Sequence, residues 1–178
     1  MDQGMDFLRS QIANATMQYT AFVQSLQDHE SGTNDIRLRE LYARFIPLAL
    51  EDERLLKSYE QSIGADAGMV KKAMGKTLGV AKDLADKAQD DDFLRLVEDI
   101  VLARQAEDTF RTFREAGKTL GNQQLQQLGD KGERDQDQFV HAANRLVQQL
   151  FVERVRGSAA DMRSSTEIRS DRGANPQS

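Results

Sequence analysis

The stretch MDFLRSQIANATMQYTAFVQSL, residues 5–26, carries Met5, Leu8, Ile12, Ala15, Tyr19, Phe22 and Leu26 at steps that alternate between three and four. At 3.6 residues per turn those side chains share one stripe, so the chain opens on a long amphipathic helix that runs to about Asp28.

Ser31-Gly32-Thr33-Asn34 then reads as a turn with capping residues, and a second stripe follows at Leu41, Phe45, Leu48, Asp52, Leu55 and Tyr59. Gly64 is suited to close it. Pro47 lies inside this stripe and predicts a kink, or a break with a fresh start just before it. Residues 65–92 are more weakly amphipathic, with Val70, Met74, Leu78, Ala81 and Leu84 on one face and Gly68, Gly75 and Gly79 between them; they read as a crossover holding one shorter helix. A third stripe, Phe93, Leu96, Ile100, Ala103, Glu107 and Phe110, fades towards Gly117 and Gly121. Asp90-Asp91-Asp92 opens it as an N-terminal cap that suits the helix dipole, rather than as a calcium loop. Asn122 can cap the fourth helix, whose stripe is Leu125, Leu128, Gly132, Asp135, Phe139, Ala142, Leu146 and Leu150. That periodicity stops after Arg156, and the Ser-, Arg-, Asp- and Gly-rich end reads as a disordered tail, 157–178, beyond a single helical-bundle domain, 1–156.

Two hairpins of long helices joined by a long connection predict an all-α fold, an antiparallel four-helix bundle of ferritin-like type with a helix-containing crossover between helices 2 and 3. A simple up-down bundle with an extra helix is the competing layout. Composition agrees with helix: aromatics are 6% and there are two prolines among 178 residues. A formal charge of -5 gives no attraction to a phosphate backbone or an anionic membrane, so neither nucleic acid nor membrane is an expected partner. No apolar run approaches the roughly 18 residues of a membrane span. The first residues lack the basic and apolar regions of a secretory signal, which makes a cytoplasmic location the expectation. Without cysteine there is no thiolate nucleophile and no disulfide frame.

Asp52, Glu107 and Asp135 each stand where the stripe of helix 2, 3 or 4 calls for an apolar residue. Counting 1.5 Å per residue from the helix starts and from the turn near Gly121 puts all three within roughly one helical turn of one layer, where helix 1 offers Asn14, Ala15 and Gln18. Carboxylates gathered in a dry core must be paired, solvated or bound to a cation, so these three are the candidate metal ligands. Di-iron bundles also need two Glu-x-x-His motifs. Gln138 precedes His141 at that spacing and Leu26 precedes His29, so a standard di-iron site is not expected, while an oxygen-only site for Mn, Mg or Ca stays open. The structural alternative pairs the acids with Arg54, Arg104, Arg111, Arg134 or Arg145, or turns them to water. Gly132 beside Asp135 leaves room for an ion or eases helix contact. His141 reads as a half-exposed packing residue, and Tyr19 and Tyr59 as core. No phosphate loop, Ser/His/Asp order or Gly-x-Ser-x-Gly elbow is present.

Three stretches, LLKSYEQSIG at 55–64, KKAM at 71–74 and IVLARQAE at 100–107, resemble the second helix, crossover and third helix of YciF-type bacterial stress proteins, a ferritin-like family. With the fourth helix the likeness covers about residues 36–150. It implies the fold, with Glu107 at an acidic ligand position. It also implies that the other metal positions have decayed: one falls at Phe110, the Glu and His of helix 2 fall in the stretch from Phe45 to Leu48, and the acidic pair of helix 4 falls near Lys131 and Gly132. The expected function is a non-enzymatic, stress-associated or protein-interaction bundle without a cofactor, with a protein partner or a homodimer. Its rival is a metal protein carrying iron or manganese at Asp52, Glu107 and Asp135, with Gln18 or His141 assisting and oxidase or storage activity. An adaptor role for the tail, through Arg163, Arg169 and Arg172, is a third expectation.

Overall fold

A computed structural model describes residues 3–65 and 91–171, with side chains of the final helix described through residue 157. Among these residues there are four helices and no strand: α1 (Gln3–Gly32), α2 (Ile36–Ser62), α3 (Asp92–Leu120) and α4 (Gln123–Asp171). The crossover helix expected around Val70 to Leu84 lies outside the described residues, as do the last residues of the chain.

Helix ends follow local chemistry. Asp35 caps α2, its carboxylate accepting from the Arg37 amide at 2.9 Å. Asp91 caps α3 by accepting from the amides of Phe93 and Leu94, as the acidic run suggested. Gly121, at φ +62, ends α3 in the left-handed region that favours glycine, and Asn122 Oδ1 then caps α4 by accepting from the Leu125 amide at 3.0 Å. α2 runs unbroken through Pro47. The proline removes the donor that would meet the Ala43 carbonyl, and both residues are exposed, so water can serve that carbonyl. α1 extends to Gly32, past Asp28, and α4 continues to Asp171, past the point where the core periodicity ends.

α1 packs on α2 and α3, and α4 packs on the same two helices, around one core that includes Ile12, Tyr19, Phe22, Phe45, Phe110 and Phe139. The α3–α4 contact is the closest, because glycines stand where backbone meets backbone. A Cβ added at Gly129 would lie 2.3 Å from the Arg114 nitrogen, and one at Gly132 would strike the Phe110 ring at 2.4 Å. Polar contacts mark the two ends of the structure. Arg9 near the start of α1 donates to the Ile63 carbonyl after α2 at 2.8 Å, and Arg37 at the start of α2 meets Glu153 of α4 at 2.7 Å. Tyr59 near the end of α2 accepts from Asn122, just before α4, at 2.9 Å.

Candidate functional site

Asp52 is 1% exposed, at the centre of α2. Its carboxylate accepts from Lys131 Nζ of α4 and, at 3.4 Å, from the Tyr19 hydroxyl of α1. Lys131 also donates to Asp135 Oδ2 at 2.7 Å, one helical turn along α4. Tyr19 in turn accepts from Gln136 Nε2 at 2.6 Å. One ammonium therefore stands between two carboxylates, with a tyrosine and an amide behind it. Burial pushes the Asp52 carboxyl up to about 6, although Lys131 pulls the other way. Burial opposes charge on Lys131, but its hydrogen bonds to Asp135 and Asp52 prevail and hold its pKa above the usual lysine value. Burial, reinforced by the Asp52 charge, pushes the Tyr19 hydroxyl well up. The lysine edge of this network opens onto a groove of about 820 Å³ between α2 and α4, lined by Leu55, Tyr59, Leu128 and Arg134 among others.

Glu107, the third acid of the sequence-derived layer, is buried but belongs to a separate network. Arg104 and Arg111 of its own helix donate to its two oxygens at 2.7 and 2.8 Å, and Arg111 reaches on to Glu133 of α4 at 2.9 Å. Thus Asp52 and Asp135 meet at one cation, while Glu107 is held by the arginine pairing expected as the structural alternative. The cation at Asp52 is a lysine, which that alternative did not name. It was legible: Lys131 precedes Asp135 by four residues and so shares its helix face.

A second buried carboxylate went unread. Asp99 of α3 is fully buried and accepts from Tyr42 of α2 at 2.7 Å and from Ser25 of α1 at 3.2 Å, while His29 Nδ1 of α1 lies 2.9 Å from it. Burial pushes the Tyr42 hydroxyl far up, as does the Asp99 charge, and burial also raises the neighbouring Glu98 carboxyl. Aspartate and tyrosine here lie out of reach of a substrate, while Ser25 is half-buried and His29, 15% exposed, shows an edge to solvent. The group joins three helices rather than presenting an acid–base pair.

Among the described residues no group of three or more His, Asp or Glu side chains is placed to hold a metal ion. Gln18 accepts from Gln105 across α1 and α3 at 3.2 Å. His141, expected as a half-exposed packing residue, is instead exposed on the outer face of α4 with Nε2 3.4 Å from Asp137 Oδ1, whereas Tyr59 is core as expected. No described helix is long and apolar enough to cross a membrane. Set against known proteins, the chain matches no family model, no curated protein and no solved structure.

Proposed function

We propose that this chain is a non-catalytic, ferritin-like four-helix bundle whose ancestral metal position has been closed by a lysine, and that it works by association with another protein chain in a stress-associated setting. One observation carries the reading: the ammonium of Lys131 stands between Asp52 and Asp135, where a cation would bridge carboxylates. The likeness to YciF-type proteins sets Lys131 near the acidic pair of the fourth helix, while Asp52 and Asp135 are not that family's ligand positions; between these two the lysine supplies a resident charge of the sign a metal would bring. Glu107 is likewise spent on two arginines.

The contacts at both ends support the antiparallel, single-crossover layout. Arg37 beside Glu153 and Tyr59 beside Asn122 fit α2 and α4 running in opposite directions. Tyr42 beside Asp99 and Tyr59 beside Asn122 support a layout in which the beginnings of α2 and α3 are level and so are their ends. Two such helices run the same way and need a connection spanning their length, as in ferritin-like folds.

Metal analysis of untagged protein, followed by aerobic ferrous titration, tests the closed site. The expected result is substoichiometric metal, no oxo-bridged absorption band, and a Tm unchanged by chelator. Stoichiometric iron or manganese would overturn the reading and restore the metal protein.

A further inference from the structure

Between α1 and α3 lies a space of about 40 Å³, with Ala15 of α1, Leu102 and Ala106 of α3 and the buried Leu56 of α2 in its wall. The alanines leave it open, and the aromatic rings around it cannot slide in to fill it. Tyr19 meets Phe110 edge-on at 5.3 Å between centroids, and Phe110 meets Phe113 edge-on at 6.4 Å, all three rings belonging to the wall. Phe110 is seated against α4 where Gly132 has no side chain, and Tyr19 is fixed at its far end, donating to Asp52 at 3.4 Å and accepting from Gln136 at 2.6 Å. The other polar side chains of the wall are engaged as well. Thr109 donates to the Gln105 carbonyl at 2.9 Å, and Gln105 donates to Gln18 at 3.2 Å, bridging α3 and α1 at the solvent edge. A water molecule inside needs roughly two to four polar partners, and this wall has spent its own elsewhere. Such a space stays dry, and its lining lacks the dispersion contacts that a guest would supply.

We propose that the space between α1 and α3 is a binding site for one small apolar molecule, the size of a noble-gas atom or a diatomic gas. Volume sets the upper limit, since about 40 Å³ is far below the roughly 150 Å³ at which an engineered apolar cavity takes benzene. Chemistry excludes ions and hydrogen-bonding solutes, which would lose their hydration to a wall with no free partner for them. Entry requires little rearrangement: the bridge at the edge is one hydrogen bond, between the half-buried Gln18 and the exposed Gln105. The site is separate from the lysine-closed one and does not rest on how the protein associates.

Xenon is the probe. Methyl and amide NMR spectra of the full chain over a series of xenon pressures should show saturable shifts at Ala15, Leu56, Leu102 and Ala106, and only linear drift at the exposed Ala21 and Ala43. Ala106→Leu puts carbon into the space and should weaken xenon binding at least about tenfold, with a Tm equal to or above that of the parent. Leu102→Ala enlarges the space and should bind xenon several-fold more tightly, which keeps the proposal testable if leucine at 106 does not fit. Shifts that spread evenly through the core or never saturate, a folded Ala106→Leu variant that binds xenon like the parent, or a long-lived water found in the space by water–amide cross-relaxation would each overturn the proposal. Metal content bears on the closed site alone, so a protein that ignores xenon leaves that reading standing, and stoichiometric metal ends that reading without touching this one.

Discussion

A buried carboxylate without enough donors raises the free energy of its charged form, and among the described residues Asp52 has Lys131 and Tyr19 to offset that cost. Its pKa of about 6, against an ordinary 3.8, fixes the sign of a pH dependence. The folded state holds this proton more tightly than the unfolded state, so the contribution favours folding below about pH 4 and is lost as pH rises towards 6. Two pKa units correspond to a loss on the order of 3 kcal/mol. Asp52→Asn cannot titrate, so the stability of the variant relative to the parent should improve as pH is raised from 4 to 7, measured by urea unfolding at each pH. A gap that stays flat, or that moves the other way, would show that Lys131 fully compensates burial. Removing that partner is the complementary change: Lys131→Ala leaves Asp52 buried with one long hydrogen bond, and a loss of about 3 kcal/mol at neutral pH is expected. Asp99 is better served, with two hydroxyls and a histidine. Asp99→Asn puts an amide donor against other donors in a fully buried place, and should cost about 2 kcal/mol or more in the same assay.

Between elements, the α3–α4 contact depends on missing atoms. Gly129 faces the Arg114 nitrogen and the Phe110 carbonyl, where an added Cβ would sit 2.3 and 2.6 Å away. Backbone cannot rotate aside as a side-chain tip can. Gly129→Ala should therefore lose about 3 kcal/mol despite the better helix propensity of alanine, and a neutral or stabilising result in thermal unfolding would mean the two helices can part cheaply. The four helices and their caps were legible because alternating steps of three and four, Asp91, Gly121 and Asn122 each act through local geometry. Which of two adjacent residues points inward was less legible. The stripes chose Leu55, Ile100 and Ala142, which are half-buried, whereas their neighbours Leu56, Asp99 and Ala143 are the fully buried ones. A fixed alternation of three and four drifts against 3.6 residues per turn, so over several turns the chosen stripe slides one residue off the true inner edge. That drift hid Asp99 behind Ile100, and with it the network joining α1, α2 and α3. Nor does helical spacing say which flank an acid leans to, which is why Glu107 could share a layer with Asp52 and still turn to its own arginines.

At the scale of the whole molecule, polar networks tie the described helices to one another. Asp52 with Lys131 ties α2 to α4, and Asp99 with Tyr42 and His29 ties α3 to α2 and α1, so the α1–α2 and α3–α4 pairs are joined at two levels by contacts that lose their value if either pair leaves. The core that these networks brace ends at Leu150, and the last described ion pairs across helices are those of Glu153 and Arg154. A chain shortened to residues 1–157 should accordingly fold and melt in one transition. Mass action then separates folding from association. If the partner of the proposed association is a second copy of the chain, the Tm of the full chain should climb as protein concentration is raised, because only folded chains associate, and a Tm that stays level would exclude a homodimer. At low concentration, where both are monomers, the full and the shortened chain should converge to within a few degrees. A shortened chain that melts far below the full one even when dilute would mean that residues past Gly157 brace the four-helix core itself.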